Sequence, residues 1–127
     1  MNYDEINQKI KEINNEDIIW IVLIGIIVLS FISNSYEKKY YINNDIKSKE
    51  NYRKINIFIC IVLLIIYLYF LKGSVDSINS LKDSDSKKKK NLIMLSFYGS
   101  LLITISGIIF LYIAIVDKNI DVELAFD

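Results

Sequence analysis

The residues able to carry chemistry are few and widely spaced. The chain has no histidine and a single cysteine, Cys60. It therefore lacks the usual general base, proton shuttle and metal ligand, and it can build neither an internal disulfide nor a thiolate cluster. Its four glycines, Gly25, Gly73, Gly99 and Gly107, stand far apart, and neither G-x-x-x-x-G-K nor G-x-G-x-x-G occurs, so no known loop motif cradles a phosphate. Fifteen basic residues cancel fifteen acidic ones, which removes the cationic excess that a nucleic-acid partner requires. No catalytic residue, cofactor or metal site is expected, and the protein is read as non-enzymatic.

Three groups of polar or small residues remain. Ser96, Ser100, Thr104 and Gly107 share one helical face, and Gly99 with Ser106 forms an adjacent stripe. In lipid, small residues let backbones approach closely, and interhelical hydrogen bonds replace the hydrophobic drive. The stripe is expected to pack against the other helices of the chain, with Gly25 as a crossing point; an oligomer or partner interface is the alternative. Lys87, Lys88, Lys89 and Lys90 follow the capping segment Asp83-Ser84-Asp85-Ser86. Beside an anionic leaflet each lysine gains on the order of 1 kcal/mol, although a solvated helix flank is the ordinary reading. Glu37 falls at the expected C-terminal end of a helix, where a carboxylate opposes the macrodipole. Arg53 and Lys54 open the next helix on the same membrane face, so either is a candidate ion-pair partner for Glu37.

The elements that must position these residues follow from charge segregation. Positions 18–36, 55–71 and 92–116 contain no charged residue. A soluble domain of this size cannot bury three segments that lack a polar stripe, and barrel strands would alternate, which these runs do not. The expected fold is an all-α integral membrane protein, three transmembrane helices in an antiparallel bundle with a short N-terminal amphipathic helix. The spans are placed at 18–36, 55–72 and 92–116, with Val75, Ile78 and Leu81 carrying the second as far as 81. The connectors are a polar segment at 1–17, basic loops at 37–54 and 82–91, and an acidic tail at 117–127. Ile6, Ile10 and Ile13 fall on one face of the first connector, and Asn14-Asn15-Glu16-Asp17 reads as a fresh helix start, so a break is expected there. The first span, preceded by five acids and two lysines, reads as an uncleaved anchor. Trp20 and most of the nine tyrosines lie near span ends, as an aromatic belt would. The tail is expected to be disordered, with partner docking as the alternative.

Orientation is nearly balanced. Lys and Arg number two before the first span, six at positions 34–54, six at positions 72–91 and one in the tail. The first span favours N-out, C-in, because its cations follow it; the third votes the other way, with four lysines before it. N-out, C-in is the marginal preference, and dual insertion remains a reading of the near-tie.

The segments Glu16-Asp17-Ile18-Ile19-Trp20, Ser33-Asn34-Ser35-Tyr36-Glu37, Tyr52-Arg53-Lys54-Ile55-Asn56 and Ser106-Gly107-Ile108-Ile109-Phe110-Leu111-Tyr112 together resemble those of uncharacterised small three-span membrane proteins from AT-rich genomes. The resemblance brings no activity, ligand or partner with it, and the expected location is the plasma membrane of a bacterium. The leading functional expectation is a structural or accessory membrane subunit acting by helix–helix association. Its partners would be the bilayer together with a second copy or another membrane protein. A holin-like pore or lesion former is the first alternative. A small channel or transporter subunit is the second, weakened by the lack of ionisable residues within the spans.

Overall fold

A computed structural model describes residues 2–124. It contains three helices, α1 (Tyr3–Asn43), α2 (Ile46–Asn79) and α3 (Lys87–Val116). Each is long and apolar enough to cross a membrane. At 1.5 Å per residue they measure about 60, 50 and 45 Å, all beyond the ~30 Å hydrocarbon layer. The chain divides into two compact units, Met1–Ile55 and Asn56–Asp127, and the boundary falls inside α2.

The first unit departs from expectation at both ends of its long helix. The break placed at residues 14–17 does not exist, and α1 runs without interruption from Tyr3. There is accordingly no separate N-terminal amphipathic helix. The start lies at Asn2, whose side chain accepts from the Glu5 amide at 2.8 Å while Glu5 Oε2 accepts from the Asn2 amide at 3.3 Å, a reciprocal capping box. Asn14, Asn15 and Asp17 are poor helix interior residues, each costing a few tenths of a kcal/mol. Ending the helix there would orphan a set of backbone groups beside the bilayer, which costs more.

Residues 37–54 are likewise not a loop. α1 continues to Asn43 and α2 begins at Ile46, so Asn44 and Asp45 make the whole connection. Asn44 adopts a left-handed conformation, φ 52° and ψ 37°, the backbone state that closes helices and that Asn tolerates. Asp45 then accepts from the Lys47 amide at 3.1 Å and the Ser48 hydroxyl at 2.8 Å. Glu37 is thus not at a helix C-terminus; it lies six residues inside α1.

In the second unit α2 continues to Asn79 through Gly73. Lys82 to Ser86 fold into a tight connection. The Lys82 amide donates to Asp85 Oδ2 at 2.8 Å, and Ser86 caps α3 by accepting from the Lys89 amide at 3.1 Å. After α3 the tail is folded through Leu124 instead of being disordered. Asp117 accepts from the amides of Asp121 and Val122 at 3.0 and 2.9 Å, and Leu124 is buried. Ala125, Phe126 and Asp127, part of the proposed docking tail, lie outside the described residues.

Candidate functional site

The most developed polar arrangement is a seam between α2 and α3. Its pairs run in opposite senses along the two helices: Ser74 with Ser100, Tyr67 with Thr104, and Leu64 with Gly107. The two therefore form an antiparallel hairpin. The hydroxyls of Ser74 and Ser100 are 2.9 Å apart, and the Ser74 hydroxyl donates to the Phe70 carbonyl at 3.1 Å. Because a hydroxyl has one proton to give, Ser100 is then the donor to Ser74. Thr104 donates to the Ser100 carbonyl at 2.8 Å, with the Tyr67 carbonyl at 3.5 Å beyond good hydrogen-bond range.

Gly107 completes the seam by being small. A β-carbon built there would stand 2.9 Å from Tyr67 Cδ2, 3.3 Å from its Cε2 and 3.4 Å from Leu64 Cδ1. The aromatic ring therefore occupies the space a side chain would need. Among the described residues every buried side-chain nitrogen or oxygen has a partner, which matters more in hydrocarbon than in water. Serines elsewhere on the helices satisfy their hydroxyls on the carbonyl four residues back, as Ser30 does on Ile26 and Ser77 on Gly73.

The remaining small residues are not brought to this seam. Ser96, Gly99 and Ser106 are exposed, and a β-carbon at Gly99 or Gly25 would meet nothing within 4 Å. The six small residues proposed on α3 separate into an inward face of Ser100, Thr104 and Gly107 and an outward set. Periodicity placed both stripes but could not say which one faced α2. The partners Leu64, Tyr67 and Ser74 escaped notice because nothing in a uniformly apolar helix singles out one face.

The four lysines are also divided. Lys89 Nζ lies 3.0 Å from Asp85 Oδ1, and Lys90 Nζ donates to the Asp83 carbonyl at 3.3 Å, while Lys87 and Lys88 are exposed. Four cations in a first turn oppose the macrodipole; the Asp85 carboxylate and the Ser86 cap offset this. The Lys82 amide first, and then Lys89, hold the Asp85 carboxyl below its ordinary value. The Ser48 hydroxyl does the same for Asp45. At the other connection, Lys49 Nζ sits 5.2 Å above the Tyr40 ring, a cation–π contact that ties α1 to α2 across the turn. Glu37 and Arg53 flank that turn half-buried, each holding an interaction with a neighbour, and Lys54 is exposed.

Chemically the seam offers neutral hydroxyls and close helix contact. Among the described residues no three His, Cys, Asp or Glu side chains stand close enough to share a metal ion, and Cys60 is a buried free thiol. No protein family, curated protein or solved structure matches the chain.

Proposed function

We propose that the protein crosses the bilayer three times and acts by binding other membrane helices, as a structural or accessory subunit and not as an enzyme. The observation that carries this reading is the contrast between covered polar groups and uncovered apolar ones. Of the most apolar 18-residue window in each helix only 11%, 22% and 17% is buried within the chain. Surfaces of that kind are untenable in water and ordinary in lipid. Three crossings alternate in direction, and the cations that follow the first span favour N-out, C-in, in the plasma membrane of a bacterium.

The protein is expected to stay in the membrane fraction through alkaline carbonate washing and to need detergent for release. Induced expression beside a membrane-potential dye should leave the potential unchanged. Prompt depolarisation followed by lysis would overturn the accessory role in favour of a pore former, and release by carbonate would overturn the membrane assignment itself.

A further inference from the structure

α1 carries one unbroken seam at coiled-coil spacing. Tyr3, Ile6, Ile10 and Ile13, then Asp17, then Trp20, Ile24, Ile27 and Phe31 are separated alternately by three and four residues, the a/d repeat with which two helices interlock. Every apolar member is exposed, and Ile6, Ile10 and Ile13 are 43%, 50% and 53% exposed.

Within the span all faces of α1 are apolar and lipid covers them, so the seam there is not distinguished by chemistry. The segment before Ile18 is different. Its other faces carry Asp4, Glu5, Gln8, Lys11, Glu12 and Asn15, which leaves the three isoleucines as a narrow apolar stripe. Because α1 is continuous, this segment leaves the bilayer along the axis of the span for roughly 20 Å. It cannot turn aside to lay its isoleucines on the headgroups. Half-exposed isoleucines standing in water call for a protein partner.

We infer that the partner is the same stretch of α1 in a second copy of this chain, the two forming a parallel coiled coil that runs from the aqueous segment into the membrane. This rests on the helix-association reading above and gives it an interface. Copies inserted in one orientation present α1 in parallel, which is the arrangement the repeat needs. Flanking residues do not resist it: Lys9 faces the partner subunit's Asn14, and Glu16 faces the partner subunit's Ile21, so no like charges oppose there. Counting roughly 100 Å² for each exposed aromatic and about 50 Å² for each isoleucine, two copies hide about 1,100 Å² along the whole seam, of which about 500 Å² lies in the segment before Ile18. Asp17 is the one seam position that is not apolar, and it opposes its own copy at the edge of the bilayer.

The test uses the intact chain in phospholipid vesicles, with Cys60→Ala as background and one cysteine introduced at a time. Ile10→Cys and Ile13→Cys should form disulfide-linked dimers about tenfold faster than Gln8→Cys and Asn15→Cys, whose side chains point away from the seam and beyond bridging distance. Asp17→Asn, which removes the one repulsive pair, should raise the dimer fraction several-fold in the same vesicles. Equal crosslinking at all four positions, or none at Ile10 and Ile13, would overturn the inference. Dimers formed only through Gly99→Cys or Ser106→Cys would overturn α1 as the interface and leave helix association standing, whereas a chain that fails to insert into the vesicles removes that broader reading.

Discussion

At the scale of single residues, close approach at Gly107 and the short polar chain beside it hold α2 to α3. Gly107→Leu should separate the helices and lower stability in detergent by about 1–3 kcal/mol, as overpacking does, and Tyr67→Ala in the same chain should recover part of the loss. Thermal unfolding of the two single variants and the double variant checks this; additive losses would remove the Tyr67–Gly107 contact as the cause. The carboxylates of the two connections make a pH prediction. Asp45 and Asp85 both titrate below the ordinary value of 3.8 in the folded chain, so their contributions are fully present above that value. Each is lost as the pH falls through its depressed folded value. Protection of the Lys47, Ser48 and Lys82 amides from hydrogen exchange, taken relative to the intrinsic rate at each pH, should therefore fall below about pH 3.8, and Asp45→Asn should abolish that pH dependence at the first connection alone. Glu37 and Arg53 invite a charge-reversal cycle. If they are coupled, Glu37→Lys and Arg53→Glu should each destabilise the chain and the double reversal should restore it.

At the scale of elements, the helices are longer than the apolar runs that announced them. The charge-free stretches marked the spans, yet the ends were written elsewhere, in the Asn2-x-x-Glu5 box, in Asn44-Asp45 and in Ser86. Those signals were present in the sequence and were outweighed by charge. Lys38, Lys39, Lys47 and Lys49 read as a solvated loop, although lysine is a good helix former and says nothing against a helix. Asn44 is the residue on which the first connection turns. Asn44→Val should cost about 1–2 kcal/mol because a β-branched side chain resists the left-handed state, while Asn44→Gly should be neutral or slightly stabilising. Denaturation in detergent measures both. The false start at Asn14 to Asp17 shows why a capping pattern alone does not end a helix: it describes an available stop, and the chain takes it only where continuing costs more.

At the scale of the whole molecule, the three apolar helices suit a bilayer, and the cations around them divide almost equally between its two faces. A reporter fused after the tail should signal from the cytoplasm alone. Signals from both sides would establish dual insertion, which the near-equal cation counts make the alternative. The neutral total of the chain conceals this, because acidic ends cancel basic connectors along the sequence and cancel again between the two faces.

Composition and charge spacing by themselves determined that the protein is built of three apolar helices and is poor in catalytic groups, because in lipid both follow from side-chain chemistry summed along a segment. They also placed the small residues of α3 on their stripes. Only the tertiary structure decided which stripe meets α2, where each helix ends, and that Ile6, Ile10 and Ile13 stand on an unbroken extension of α1. Those outcomes depend on facing surfaces and on the relative cost of competing backbone hydrogen bonds, and a uniformly apolar helix carries no local mark of either.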